Sequence, residues 1–283
     1  MLVTLKEMLE EARKGSYAVG AFNTNNMEIV QAIVESAQEE RAPVILQASQ
    51  GALKYAGIQY IVALVKAAAA VSTVPLALHL DHGTSFEQAM LCIRHGFSSV
   101  MFDGSKMPLE ENIAMTNRVG EIARAVGVSL EGELGRIGGT EDDITVEDKD
   151  ALFTNPQEAA TFVKETEVDA LAVAIGTAHG PYKGEPRLDF DRLKEIRDKV
   201  DTPLVLHGAS GVPDESIQRA IELGVGKINI DTDIRLAFTR AVSRALQETP
   251  GEYDPRKILG PAKEEMKAII KGKMRLFRSS GKA

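Results

Sequence analysis

Tryptophan is absent from this sequence of 283 residues, and the other aromatic side chains are scarce, with nine Phe and five Tyr. A hydrophobic core must therefore be built mainly from Ala, Val, Ile and Leu, within a total of 44% hydrophobic residues. With 26% charged residues in addition, the composition is typical of a globular protein. The single cysteine, Cys92, cannot form a disulfide within the chain, which fits a reducing compartment.

Basic residues are in the minority, since 33 Lys and Arg against 41 Asp and Glu give a net charge of −8. A general nucleic-acid-binding surface needs a basic excess, so we expect no nucleic-acid partner. Long apolar runs are also missing, because the stretch 61–78 is interrupted at Lys66 and around Ser72. The first residues are acidic where a signal peptide would be basic. We therefore expect no membrane association and a cytoplasmic location.

Short apolar runs alternate with amphipathic helical patterns along the whole chain. Eight of these runs predict β-strands over residues 18–23, 42–49, 75–81, 98–103, 129–135, 170–176, 203–209 and 226–232. Helical patterns between them cover residues 27–41, 110–126, 156–167, 190–199 and 214–223. Eight such units predict a fold of the α/β class, a single (β/α)8 TIM barrel that forms one catalytic domain over residues 1–283. An additional C-terminal helix is predicted at 261–277.

A doubly wound open sheet is the alternative arrangement of alternating strands and helices, but no G-x-G-x-x-G sequence follows the first predicted strand. The spacing of the strands is broken once, by the segment 135–154, whose glycines and acidic residues do not match a packed helix. This segment is a βα loop, and βα loops lie on the face of a TIM barrel that carries the active site. A functional loop is therefore predicted there.

Histidines are concentrated at the ends of the predicted strands. Four of the five histidines lie there: His79, His82, His179 and His207. Because the carboxyl ends of barrel strands meet at one mouth, His82, His179 and His207 could supply three imidazoles to one metal ion and leave an open coordination position. His79 is equally compatible with a supporting or core role, and a lone histidine at a strand end is more often structural.

Two predicted βα loops have the features of a phosphate site. The segment HGASG at 207–211 follows the seventh strand, and NIDT at 229–232 follows the eighth. TIM barrels often bind phosphate at these two loops, through backbone amides and a helix N-terminus. Either segment alone is also compatible with a simple turn and helix cap. The occurrence of both predicts an anionic ligand.

Carboxylates are also concentrated at the predicted strand ends, at Asp81, Asp103, Glu131 and Glu133, with Glu141 in the long loop. Any one of them could be an ordinary solvated acid. Beside a metal ion, however, a carboxylate acts as a ligand or as a general acid and base. Asp81 is the strongest candidate because it directly precedes His82.

Through these residues the chain resembles the class II fructose-bisphosphate aldolases of bacteria, in the shorter subgroup shared with the tagatose-bisphosphate aldolases. The resemblance covers essentially the whole chain. It rests on ordered blocks, namely HLDHG (79–83), FDGS (102–105), EGELG (131–135), GTAHGPY (176–182), LHGASG (206–211) and INIDT (228–232). Each block is short, but their order and spacing are specific.

The resemblance implies a metal centre and an acid–base pair. His82, His179 and His207 would bind a catalytic zinc ion, and Asp103 and Glu133 would belong to a second divalent-metal position. The reaction implied is the reversible cleavage of fructose 1,6-bisphosphate into dihydroxyacetone phosphate and glyceraldehyde 3-phosphate, with zinc stabilising the enediolate. Asp81 would be the general acid and base at the C4 hydroxyl, and Glu141 in the loop would move the proton at the carbon.

The resemblance also implies substrate contacts. The residues that match the dihydroxyacetone phosphate site, which includes a monovalent cation (Na⁺ or K⁺), are Gly180, Gly208, Ala209, Ser210, Asn229, Ile230, Asp231 and Thr232. Asn23, at the end of the first strand, joins the substrate site, and Ser49 matches a position near the phosphate of the aldehyde. Asp254 and Arg256 match a segment that reaches the distal phosphate in a neighbouring subunit, which implies a homodimer or homotetramer.

Three alternatives remain open at this point. Tagatose 1,6-bisphosphate differs from the fructose sugar only in configuration at C4, and the motifs above serve both. A non-catalytic sugar-phosphate-binding protein would be expected to have lost Asp81 or a metal-binding histidine, and none is lost. A metal-free isomerase barrel would leave the three histidines and the paired acids unexplained.

Overall fold

Eight parallel strands close into a barrel in the computed structural model, which describes residues 2–141, 144–147, 152–182 and 184–283. The barrel strands are β1 (Val19–Asn23), β2 (Val44–Ser49), β3 (Leu76–Gly83), β4 (Ser99–Phe102), β5 (Ser129–Leu134), β8 (Ala170–Val173), β10 (Leu204–Leu206) and β11 (Val225–Ile230). They are neighbours in chain order, and β11 pairs with β1 to close the ring. The predicted TIM barrel is confirmed, and all eight predicted strands overlap an observed one.

Helices surround this barrel. The described residues form α1 (Leu5–Gly15), α2 (Met27–Glu40), α3 (Gln50–Ala56), α4 (Ile58–Val71), α5 (Phe86–His95), α6 (Leu109–Ala125), α7 (Pro156–Thr166), α8 (Phe190–Arg197), α9 (Asp214–Glu222), α10 (Thr232–Glu248) and α11 (Pro255–Leu276). The additional C-terminal helix is therefore present, but it begins at Pro255 rather than Pro261. Pro255 takes the first helical turn, where its missing N–H costs nothing, and Asp254 caps it by accepting from the Arg256 amide.

Alternation along the barrel strands separates two apolar regions. Outward side chains such as Leu46, Leu78 and Leu171 pack against the helices in one large core. Inward side chains near the amino ends of the strands, including Ile45 and Val205, form a second cluster with α1. Helix α1 was not predicted, and it closes the bottom of the barrel.

A reciprocal pair of hydrogen bonds starts α1. The Thr4 hydroxyl accepts from the Glu7 amide, and the Glu7 carboxylate accepts from the Thr4 amide. This capping box satisfies two groups that a helix start leaves open. Leu5, Leu9 and Ala12 then share one face and are fully buried beneath the barrel.

A row of ion pairs joins α2 to α11. Glu35 accepts from Lys263 and Lys267 at 2.8 and 3.0 Å, and Glu39 pairs with Lys267 at 2.7 Å and with Lys271 at 2.8 Å. Hydrogen bonds from Lys267 and Lys271 lower the pKa of Glu39 to about 2. Burial acts in the opposite direction, but its effect on this pKa is smaller. The C-terminal helix is thus fixed along the first βα unit, next to the strand pair that closes the barrel.

In the described part of the chain, no single helix is long and apolar enough to cross a membrane. Helices α3 and α4 meet the length and composition test only as a pair, bent by 94° at their junction. Ile61 and Val65 of α4 are fully buried in the core.

Replacing Leu9 by Ala should weaken the apolar cluster beneath the barrel. Leu9 is 0% exposed, so we expect the free energy of unfolding to fall by about 2–5 kcal/mol. Urea denaturation followed by circular dichroism measures this change. The control is Leu246→Ala on α10, where the side chain is 48% exposed and the effect should stay within about 0.5 kcal/mol. Equal, small effects of the two changes would remove α1 from the core.

Candidate active site

Polar side chains fill the upper half of the barrel interior, above the apolar cluster. On β3, β5 and β11 the inward positions are His79 and Asp81, Glu131 and Glu133, and Lys227 and Asn229. All six are at most 5% exposed. The closure of the barrel therefore gathers acids, imidazoles and one ammonium group within a single buried volume.

His82 enters this volume through an irregularity in β3. Regular alternation would send Asp81 inward and His82 outward. The pairing of β3 with β4 shifts register between Leu80 and Gly83, and His82 has a φ of 49°. A left-handed backbone is costly for a residue other than glycine, and such strain is concentrated at functional sites. Its effect here is that two consecutive side chains, Asp81 and His82, both reach the mouth.

Three imidazoles meet at the mouth. The ring centroids of His82 and His179 are 5.2 Å apart, those of His82 and His207 4.7 Å, and those of His179 and His207 6.1 Å. One nitrogen from each ring lies within 4.8 Å of the others. These are the three histidines predicted as metal ligands, brought together from β3, β9 (Ala178–His179) and the loop after β10.

Carboxylates hold the outer nitrogens of two of these rings. His82 Nδ1 is 3.0 Å from Asp103 Oδ2, and His207 Nε2 is 3.0 Å from Glu131 Oε1. Burial alone would raise the pKa of both acids, but bonding to His82 lowers that of Asp103, and the Lys227 ammonium lowers that of Glu131. An ionised carboxylate only accepts hydrogen bonds, so each ring donates outward.

The inner nitrogens then face each other as lone pairs. His82 Nε2 and His207 Nδ1 are 2.9 Å apart. Two acceptors at this distance repel unless a cation lies beside both, and burial also lowers the pKa of His207, which disfavours a proton there. Three imidazole nitrogens and an electron-rich centre match the ligand set of a divalent transition metal. The residues present therefore fit a metal ion.

Glu133 supplies a second cue for a cation. Its Oε2 is buried, lies 3.6 Å from His82 Nδ1, and has no hydrogen-bond partner among the described residues. Burial, together with the nearby Asp103 carboxylate, raises the pKa of Glu133 well above its usual value. His82, Asp103 and Glu133 also place one ligand atom each within 4.8 Å of one another. The pair predicted for a second metal position thus shares His82 with the first.

Asp81 is held by three amide groups. Its Oδ2 accepts from Asn23 at 2.9 Å and from Gln47 at 3.1 Å, and its Oδ1 accepts from Asn229 at 3.2 Å. Gln47 also donates to Asn23 Oδ1 at 2.6 Å. Neutral donors orient a carboxylate without neutralising it. Gln47 was not singled out from the sequence, although it lies two positions before Ser49 and therefore on the same side of β2.

A cavity of about 220 Å³ opens beside the histidines. Its lining includes the predicted metal ligand His179 and most of the predicted phosphate-site residues, namely Gly180, Gly208, Ser210, Asn229, Asp231 and Thr232. The N-terminus of α10 points here, and Ser210 Oγ accepts from the Asp233 amide at 3.3 Å. Arg235, which sequence reasoning missed, also lines the cavity and donates to Asp231 at 2.7 Å.

Three other predicted substrate contacts, at Ala209, Ile230 and Ser49, do not line this cavity. Ala209 and Ile230 are buried in the outer core instead. Ser49 is 4% exposed at the end of β2, where its hydroxyl accepts from the Ala52 amide as the cap of α3.

Comparison with known proteins decides the family. The family model described as "Fructose-bisphosphate aldolase class-II" matches residues 3–282. A fructose-bisphosphate aldolase of Geobacillus stearothermophilus is 52% identical over 285 residues, covering 100% of this chain and 99% of that protein. One of Thermus caldophilus is 50% identical over 306 residues, covering 100% of both. The chain belongs to the class II fructose-bisphosphate aldolase family.

Solved structures of similar proteins share this fold. The YdjI aldolase from Escherichia coli K12 superposes with a TM-score of 0.89 at 34% identity and covers 100% of both chains. A putative fructose-1,6-biphosphate aldolase from Coccidioides immitis gives a TM-score of 0.88 at 31% identity, covering 98% of this chain and 97% of that one. Family membership makes this chain an aldolase of a metal-dependent class with a sugar-phosphate substrate.

In this aldolase the long loop after β5 forms a hairpin. Strands β6 (Gly138–Glu141) and β7 (Ile144–Val146) are antiparallel, and β6 pairs in parallel with β9. Gly139 lies opposite His179 in that pairing. Residue 141 ends β6, but the side chain of Glu141, the predicted proton shuttle, lies outside the described part of the structure. Its role stays a prediction.

Asp254 and Arg256 lie at the start of α11. Arg256 donates to both oxygens of Asp254, and its side chain is 89% exposed. The contact with a phosphate in a neighbouring subunit stays a prediction.

Substituting Gly139 by Ala should separate the hairpin from β9. Gly139 has a φ of 95°, and an added Cβ would clash with the carbonyl oxygen of His179. A left-handed residue other than glycine costs about 1–3 kcal/mol, so opening of the β6–β9 pairing should become at least about fivefold more frequent. Hydrogen exchange of peptides covering 138–141 and 177–180 measures this.

The matched control for the hairpin is Gly184→Ala. An added Cβ at that position has no neighbour within 4 Å. Unchanged exchange in both variants would mean that β6 does not depend on its contact with β9.

Proposed function

We propose that this protein catalyses the reversible cleavage of fructose 1,6-bisphosphate into dihydroxyacetone phosphate and glyceraldehyde 3-phosphate. The observation that carries the proposal is the position of Asp81, which is aligned by three amides at the same barrel mouth as the three histidines and the cavity at the α10 N-terminus. A base, a metal-binding group and an anion-binding loop are the parts that retro-aldol cleavage of a phosphorylated sugar requires. The names of relatives at about 50% identity support the same reaction.

Asp81 acts as the general base at the C4 hydroxyl. In the cleavage direction one carboxylate oxygen takes the hydroxyl proton while the C3–C4 bond breaks, and in condensation the proton returns. Asn23, Gln47 and Asn229 fix the carboxylate plane, so no rearrangement is needed at the moment of transfer.

His82, His179 and His207 would hold a zinc ion, and Asp103 and Glu131 would orient two of these ligands from behind. When bound, zinc supplies a Lewis acid that stabilises the negative charge left on the three-carbon fragment after the bond breaks. Asp103 and Glu133 lie beside His82 as the second divalent position.

The cavity at the α10 N-terminus takes the phosphate of the three-carbon fragment. Gly180, Gly208 and Ser210 line it together with Thr232, the first residue of α10, where the helix dipole favours an anion. Tyr182 holds two of these loops in register, since its hydroxyl accepts from the Ala178 amide and donates to the Gly208 carbonyl, both at 2.8 Å. A monovalent cation, Na⁺ or K⁺, balances the charge at this site.

The hairpin β6–β7 carries Glu141 to the carbon that becomes the carbanion. Closing of this hairpin also excludes water, which would otherwise protonate that carbon without control.

The proposal also includes a single catalytic domain over residues 1–283, a cytoplasmic location and a homodimer or homotetramer. In such an oligomer Arg256 of one subunit contacts the distal phosphate of the next.

Asp81→Asn should remove the base while keeping the shape of the side chain. We expect kcat to fall by about 10²–10⁴-fold, the usual contribution of a general base. A coupled assay of fructose 1,6-bisphosphate cleavage measures the loss, and elemental analysis of bound zinc is the internal control, which should be unchanged. Turnover close to that of the unsubstituted protein would reassign the base.

Cleavage of fructose and tagatose 1,6-bisphosphates should be compared with and without EDTA, followed by addition of zinc. We expect EDTA to abolish cleavage and zinc to restore it, with the larger kcat/KM for the fructose sugar. Activity that survives thorough metal removal would contradict the zinc assignment. A larger kcat/KM for the tagatose sugar would transfer the substrate to its C4 epimer, and cleavage of neither sugar with zinc bound would contradict the proposal.

A further inference from the structure

Lys227 is fully buried in the barrel, two residues before Asn229 on β11 and thus one inward position deeper. Its Nζ donates to Glu131 Oε2 over 2.8 Å and lies 3.4 Å from His79 Nε2. Burying an ammonium group is unfavourable unless it is paired and hydrogen-bonded. None of the steps proposed above uses Lys227, so its place in the core needs another explanation.

Glu131 connects Lys227 to the histidine cluster. One carboxylate oxygen, Oε2, accepts from Lys227, and the other, Oε1, is 3.0 Å from His207 Nε2. The opposite nitrogen of that ring, His207 Nδ1, is 2.9 Å from His82 Nε2 in the centre of the cluster. A continuous contact chain therefore runs from Lys227 through Glu131 to the metal-facing edge of His207, with no exposed side chain along it.

The position of Glu131 determines what His207 presents to the centre. Because Oε1 lies against His207 Nε2, the ring is turned so that its other nitrogen, Nδ1, faces His82 Nε2. Lys227 holds the second carboxylate oxygen, Oε2, so that Oε1 stays aimed at the ring.

His79 completes the surroundings of the ammonium group. Its Nδ1 is 2.8 Å from Ser99 Oγ, across the β3–β4 pairing, which leaves Nε2 to face Lys227. Burial lowers the pKa of His79 well below its usual value, so the ring is neutral and adds no competing positive charge. Lys227 thus has one ionised partner, Glu131, and one neutral partner, His79.

We propose that Lys227 is a positioning residue of the metal site, which acts through Glu131 to fix His207 in the ring orientation that presents Nδ1 to a divalent metal ion. The inference rests on the proposed metal site and goes beyond it in naming the residue that prepares the ligand. A purely structural ion pair predicts a different outcome, since its loss would lower the stability of the fold without changing the affinity for metal of the molecules that remain folded.

Lys227→Met tests this, because methionine keeps the length of the side chain without the charge. We expect the zinc dissociation constant, measured by competition with a chromophoric chelator, to rise by about 10–100-fold, as for other groups that orient a metal ligand. In ¹⁵N-histidine spectra of the zinc-loaded protein, the proton on His207 Nε2 should lose its strong hydrogen-bond signature. Lys194→Met, which breaks an exposed pair with Asp198 instead, is the matched control and should change neither.

A double substitution shows whether the effect passes through Glu131. In Glu131→Gln with Lys227→Met, the amide oxygen can still accept from His207 and no buried charge is left without a partner. We expect the double variant to bind zinc more tightly than Lys227→Met alone. If the single variant does not fold, the double variant is compared with Glu131→Gln, where Lys227 competes with His207 for the one carbonyl oxygen. The double variant should again bind zinc more tightly.

Two results would overturn the proposal. One is a zinc affinity and a His207 spectrum in Lys227→Met equal to those of the unsubstituted protein, with only the thermal midpoint of the metal-free form lowered. The other is a double variant that binds zinc no better than the single variant with which it is compared. Zinc affinity is measured without sugar, so an unchanged affinity in the Lys227 variants would contradict only the role of Lys227 and not the proposed cleavage reaction. Conversely, a protein that cleaves neither sugar bisphosphate would contradict the proposed reaction but not the zinc-binding result.

Discussion

Closure of a parallel barrel sends the carboxyl ends of eight strands to one rim and every second side chain into a shared interior. Hydrogen bonding from β11 back to β1 leaves no free edge among the barrel strands. Side chains remote in sequence, such as Asp81 and Asn229, become hydrogen-bond partners for this reason. The catalytic geometry depends on that constraint more than on any one contact, because no single βα unit contains a complete site.

The interior is divided by polarity along the barrel axis. Beneath the rim, α1 and the inward apolar residues form a dry floor. Above it, Lys227, Glu131 and His79 are fully buried yet fully partnered. An apolar floor strengthens these electrostatic contacts by keeping water away. The same environment makes an unpartnered group costly, and this is why Glu133 Oε2, which has no hydrogen-bond partner among the residues that the structure describes, points to a cation.

The hairpin β6–β7 is joined to the candidate metal site through the backbone. Strand β6 adds to β9, the short strand that ends at His179, so the loop is positioned by main-chain pairing rather than by its own side chains. Gly139 permits this close approach, since any Cβ there would meet the carbonyl of His179. Loop position and the orientation of one predicted ligand are therefore coupled in the structure.

The sequence by itself determined the eight strands and the TIM barrel, and it indicated that three histidines and two glycine- or polar-rich loops meet at the barrel mouth, because these follow from local periodicity and from residue types at strand ends. Tertiary structure decided what has no local signal. The inward turn of His82 depends on a register shift against β4. The buried hydrogen bonds of Gln47 and Lys227 depend on partners from β1, β3 and β5. The packing of α1 depends on the open bottom of the barrel. The segment 135–154 was predicted as a loop without strands, because β6 pairs with β9, a partner that a pattern within the loop cannot reveal. Likewise, α11 begins at Pro255 because the cap at Asp254 forms there, while the later Pro261 offered an equally good start by pattern alone.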